Sequence, residues 1–217
     1  MWGYVQTFWE QFDWAGLLSA VFRVLGVLVC LTVHETCHGL AALALGDPTA
    51  KRMRRLSLNP LHHIDWLGLA SMFLCGFGWA KPVPVDMRYF KRPKAGMAVT
   101  ALAGPASNFL LAMLLLFFAS LTARLAAGEG AALLYGFLVN TALLSVGLGL
   151  FNLVPIPPLD GSKVLFALLP ERAYYTLMRY ERYGMAVLLL LVWLDVGGGY
   201  LSEAIYRVFM WMAGLFF

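Results

Sequence analysis

The sequence predicts an all-α membrane protein, a polytopic bundle of transmembrane helices with a short re-entrant or β-hairpin element near the cytoplasmic face. Three observations predict it. The 217 residues are 61% hydrophobic and only 13% charged, whereas a soluble domain is about 45–50% apolar and about 25% charged. Apolar runs long enough to cross a bilayer cover residues 17–45, 96–125 and 131–153. Between the first two, residues 59–93 are apolar but broken by glycine and proline, which no spanning helix tolerates without help. The length allows about four to six spans with short connections. The expected organisation is a single transmembrane domain over 1–217, with a core at about 17–170 and C-terminal helices over 171–217.

Residues 1–14 lack a basic leader and carry Glu10 and Asp13, so they do not read as a secretory signal. Their aromatic residues, Trp2, Tyr4, Phe8, Trp9, Phe12 and Trp14, suit an interfacial anchor before the first span. That span ends at Gly46-Asp47-Pro48, and the basic cluster Lys51, Arg52, Arg54 and Arg55 follows. Residues 51–94 hold nine of the sixteen lysines and arginines. The positive-inside bias places this connection in the cytoplasm and the N-terminus outside. The net charge of +4 is thus explained by membrane topology and does not call for nucleic acid.

Within the connection, Asn59-Pro60-Leu61-His62-His63-Ile64-Asp65 is turn-prone, and residues 66–79 are too short to span. Gly76 to Val85 follows, with Pro82 and Pro84 forbidding a regular helix but fitting an edge strand. Non-helical backbone at membrane depth survives where it is buried in protein or lines a wet cavity. The second span carries Gly104-Pro105-Ala106-Ser107-Asn108, whose small residues permit close helix approach. Asn108 could bond a neighbouring helix or face a cavity. The third span ends in Asn152-Leu153-Val154-Pro155-Ile156-Pro157-Pro158-Leu159-Asp160-Gly161. A short fourth span begins at Gly184 and runs to Val196 or Tyr200. Residues 200–217, with Glu203 and Arg207 one turn apart, are a fifth span or an interfacial helix.

Chemistry concentrates at Val33-His34-Glu35-Thr36-Cys37-His38-Gly39, in the second half of the first span. Two histidines four apart on a helix share a face and can reach one Zn²⁺. A glutamate directly after the first histidine stands where a metalloprotease keeps its general base. Ionisable residues inside a membrane segment are costly and functional by default. Both the first and third spans run inwards, so His34 and His38 meet Asp160 near the inner face. These are three ligands to one zinc per chain, with the fourth position left for water, as a catalytic site requires. His62 and His63 are alternative ligands, read here as turn hydrogen-bonders. Cys30, Cys37 and Cys75 read as apolar fillers, their odd number and spacing arguing against a disulfide framework.

Such a site hydrolyses a peptide bond: Glu35 takes the proton of a water and passes it to the leaving amine. The Asn152 amide can help stabilise the oxyanion. A helical substrate must unwind to reach the site, and the unwound backbone needs new partners that lipid does not offer. An edge strand at 76–85, which includes Gly78, could provide them by strand addition. Two other classes compete: a metal transporter or chaperone, and a catalytically dead scaffold. Transport does not need Glu35, and no internal repeat supports a transporter built on inverted repeats. All three ligands and the base are present, so a dead scaffold has no support either.

The pair His34-Glu35-x-x-His38 and Asn152-x-x-Pro155-x-Pro157-x-x-Asp160-Gly161 resembles the site-2 protease family of intramembrane zinc metalloproteases, peptidase family M50. The linking Asn59-Pro60-Leu61-x-His63-Ile64-Asp65, Gly78-Trp79-Ala80-Lys81-Pro82-Val83-Pro84-Val85 and Ala103-Gly104-Pro105-x-x-Asn108 are similar to its compact bacterial and archaeal branch, without an inserted PDZ or CBS domain. The resemblance covers about residues 25–170. It implies zinc on His34, His38 and Asp160, catalysis by Glu35, and a membrane-associated β-element at 78–85. It also implies substrate held by Asn152, with Pro155, Pro157, Gly78, Trp79 and Asn108 as further candidate contacts. The implied partners are the bilayer and transmembrane protein or peptide substrates in the cell membrane, cleaved towards the cytoplasmic side in regulated intramembrane proteolysis. No oligomeric state is specified.

Overall fold

A computed structural model of the chain describes residues 13–75 and 78–217. The described residues form eight α-helices and no strand: α1 (Trp14–Ala44), α2 (Thr49–Arg52), α3 (Trp66–Cys75), α4 (Pro93–Leu125), α5 (Glu129–Leu153), α6 (Asp160–Ala167), α7 (Glu171–Trp193) and α8 (Gly198–Ala213). This is an all-α membrane protein. Three helices are long and apolar enough to cross a membrane: Gly16–Ala44, Pro93–Leu125 and Glu129–Leu153. The pair Tyr183–Trp193 and Gly198–Ala213, bent by 88°, makes a fourth if it is one span.

Local chemistry explains the ends. Asp13 caps α1 by accepting from Gly16 N at 2.8 Å. Pro93 opens α4 at a position where its missing N–H is no loss. The bundle interior is built from small residues that let the long helices approach. Ala112 and Leu116 of α4 meet Ala142 and Val146 of α5, and Met212 of α8 completes this cluster. The C-terminal helix therefore packs on the bundle, with Ile205, Val208 and Phe209 around the cluster. Residues 1–12, where most of the proposed aromatic anchor falls, lie outside the described residues.

The segment expected as a β-hairpin is different. Among the described residues the only β-pairing is one isolated antiparallel bridge, Ile64 with Ala80. Lys81 N donates to His63 O at 2.9 Å, but Pro82 and Pro84 have no N–H to continue a ladder. The remaining groups find other partners. Arg55 donates to Lys81 O at 2.9 Å and to Pro82 O at 3.3 Å, and Val83 N donates to Glu35 Oε2 at 2.9 Å. Gly76 and Phe77 lie outside the described residues. The preceding α3 has ten residues, about half of what a span needs.

One buried carboxylate ties this connection to α1. Asp47 is fully buried, accepts from Thr49 N at 2.8 Å and from the Thr49 hydroxyl, and takes Asp86 N at 2.7 Å. Asp47→Ala strands those donors in the interior and is expected to cost about 2–4 kcal/mol. A lowered thermal midpoint in detergent checks this; an unchanged midpoint would remove the carboxylate from any stabilising role.

Candidate metal centre

The histidine pair sits where α1 crosses α4. His34 and His38 share one face, with ring centroids 4.6 Å apart and Nε2 atoms 3.0 Å apart. Asp160 arrives at the first turn of α6, after the Pro-rich link that ends α5. A side chain on the next residue could not be accommodated, because a Cβ on Gly161 would lie 2.1 Å from Leu153 O. The Asp160 Oδ2 atom is 3.1 Å from each histidine Nε2. All three residues are buried, and they form the one group of three or more ligand-type side chains found among the described residues.

The donor set fits a metal ion. His38 Nδ1 is 2.7 Å from Thr100 O, an atom that only accepts, so the ring proton is on Nδ1. The Nε2 lone pair of His38 then points into the cluster. His34 is held likewise, with Nδ1 2.6 Å from Asn108 Oδ1. Two imidazole lone pairs and a carboxylate oxygen facing one point repel unless a cation lies among them. Lys163 Nζ lies 3.6 Å from the other oxygen, Asp160 Oδ1.

The cluster forms part of the wall of a cavity of about 980 Å³. Glu35 lines it beside the ligands, with Oε2 occupied by Val83 N. Leu28, Leu31, Leu144, Leu148 and Leu188 make much of the surface apolar. Gly78, Trp79 and Asn152 line the cavity too, the Asn152 amide donating to Leu148 O at 3.0 Å. Pro155 and Pro157 do not line it, whereas Pro158 and Leu159 do. Asn108 lies behind His34 and away from the cavity, at 0% exposure. Of the two readings open to it, the neighbouring-helix one matches its bonds: its amide meets His34 Nδ1, Cys30 O and Ser145 Oγ. His63 is buried on the cavity wall, its Nε2 donating to Ser57 O at 2.7 Å, and neither it nor His62 belongs to the ligand group. Cys30 and Cys37 are free thiols outside that group, and the Cys75 side chain is outside the described residues.

Sequence reasoning missed the groups that orient the ligands. Lys163 carries a signal, a cation one helical turn after an acid. Thr100 and Val83 act through backbone atoms and carry none.

Two histidines, a carboxylate and an adjacent glutamate, set in a bundle of membrane-length helices, define a membrane metalloprotease. The chain belongs to the site-2 protease family, peptidase family M50. The model of that family matches residues 122–194, the part that carries Asp160. The chain is 37% identical over 185 residues to YwhC of Bacillus subtilis, named as an inferred zinc metalloprotease, with 84% of each chain covered. It is 30% identical over 204 residues to Rip2 of Mycobacterium tuberculosis, likewise named, covering 92% of this chain and 76% of the relative. Rip2 of Mycolicibacterium smegmatis is 30% identical over 200 residues, with 87% and 73% covered. No solved structure matches the chain.

Proposed function

We propose that this metalloprotease is an intramembrane zinc endopeptidase, hydrolysing peptide bonds in or near the transmembrane segments of other membrane proteins. The observation that carries the reading is the convergence of three ligand atoms on the wall of a large, mostly apolar cavity between membrane-length helices. His34, His38 and Asp160 would hold one Zn²⁺ per chain. Bound there, zinc supplies Lewis acidity to the water and to the scissile carbonyl.

The chain's own groups do the rest. Glu35 is fixed through Oε2, which leaves Oε1 to take the proton of the attacking water and deliver it to the leaving amine. Asn152 spends one amide hydrogen on Leu148 O, and the second can reach the carbonyl oxygen of a substrate. The Gly78–Ala80 stretch lines the cavity, beside the place an unwound substrate backbone would take in this reading. The whole chain acts as one domain in this reading, because Glu181, Met185 and Ile205 of the C-terminal helices also face the cavity. The basic connection between α1 and α4 supports a site that faces the cytoplasm, with the N-terminus on the other side.

Zinc analysis of detergent-purified protein, with cleavage of a panel of single-span model substrates, tests the proposal. The expected result is one zinc per chain, cleavage lost on chelation and restored by added zinc. Cleavage that persists after complete metal removal would overturn it. Bound zinc with no cleavage of any membrane substrate would favour a metal-binding protein without catalysis.

A further inference from the structure

The two histidines are oriented by different means. His38 is held by a backbone carbonyl, Thr100 O. His34 depends on side chains alone. Its Nδ1 faces Asn108 Oδ1 at 2.6 Å, while its Nε2 faces Asp160 and His38. Which nitrogen of His34 carries the proton therefore depends on which end of the Asn108 amide faces it.

Ser145, on α5, decides this. Its hydroxyl donates to the Asn108 backbone O at 2.8 Å, which uses its single hydrogen. Towards the Asn108 side chain the same oxygen can then only accept. The amide nitrogen lies 3.2 Å from it, with Cys30 O at 3.5 Å as a second acceptor. Both partners at that end are acceptors, so the NH₂ group belongs there and the carbonyl oxygen turns to His34. His34 Nδ1 must donate, and the Nε2 lone pair is left for the cluster. Were the amide lost, nothing would stop the proton moving to Nε2, where it would block ligation.

Asn108 and Ser145 are both at 0% exposure, so water does not compete for these groups. The bonds link α1, α4 and α5 at the depth of the ligands. We infer that the Asn108–Ser145 pair is a positioning device for the metal site: it sets the tautomer of His34 and fixes the ring, without touching substrate. This inference rests on the metal reading above. Partners of this kind are worth about 10–100-fold in metal affinity.

Cobalt(II) titration of the full, metal-stripped protein in detergent tests it, reading both affinity and the ligand-field absorption of the bound ion. Asn108→Leu keeps the volume and removes the acceptor. It is expected to weaken cobalt binding by about 10–100-fold and to alter the spectrum. Asn108→Asp keeps an acceptor for Nδ1–H and is expected to retain most of the affinity, the Ser145 hydroxyl giving up the backbone O of residue 108 to donate to the second carboxylate oxygen. Ser145→Ala is expected to fall between them. Equal affinity and spectrum in Asn108→Leu and wild type overturn the inference. Equal losses in the Leu and Asp variants also overturn it, since packing alone would then explain them. If Asn108→Leu does not fold, Ser145→Ala decides: wild-type affinity and spectrum reject the inference, a loss in both supports it. A wild type that binds no cobalt rejects the metal reading, and this inference with it.

Discussion

Replacing Glu35 by glutamine is expected to lower the rate of peptide cleavage by about 10²–10⁴-fold, with one zinc per chain retained. Glutamine has nearly the same shape, and its carbonyl oxygen can still accept from Val83 N, so the side chain stays in place. What it loses is basicity. Glu35 stands outside the three-ligand group, so zinc content is expected to be unchanged. Initial rates on a cleaved single-span substrate, with elemental analysis of the same preparations, check both halves. Equal rates in the two proteins would exclude Glu35 as the base. Loss of zinc together with rate would make Glu35 part of the metal site rather than the proton carrier beside it.

The features read correctly from sequence are those encoded locally. The three long helices follow from apolar runs, and the helical spacing of His34 and His38 puts both rings on one face. Asp160 was harder, because it is 126 residues from His34; what made it visible was an acid beside a proline-broken helix end in an otherwise apolar region. The β-hairpin was misread because an extended, Pro-punctuated segment looks like an edge strand whatever its backbone groups do. Here Arg55 and Glu35, distant in sequence, capture the groups a strand partner would have used. The side on which Asn108 finds its partners is hidden for a related reason. A polar residue in an apolar helix announces a partner but not its direction, and the partners lie on two other helices. At the C-terminus the Gly197-Gly198-Gly199 break is visible in the sequence. The 88° bend is not, since packing of Ile205 and Met212 against the α4–α5 core places the last helix.

A single methyl group at Gly104 is expected to empty the metal site. A Cβ there would lie 2.5 Å from both His38 Nε2 and His38 Cε1, and 2.7 Å from His34 Cε1. Such a contact is relieved cheaply only if the neighbour is free to swing, and these rings are not. Thr100 O and Asn108 Oδ1 tether them, and both tethers stand on α4, the helix that carries Gly104. Rotating the rings away from the methyl breaks the bonds that aim their lone pairs. Pushing α4 away from α1 carries the tethers with it and opens the cluster. Either response spoils ligation, so zinc in Gly104→Ala is expected to fall from one per chain towards none, and cleavage with it. Gly136→Ala on α5 is the control, because nothing lies within 4 Å of a Cβ there and alanine is the better helix former. Zinc and cleavage at wild-type levels in Gly104→Ala would show that the two tethers yield without cost. The close approach of α4 would then be packing alone, with no part in aiming the histidines.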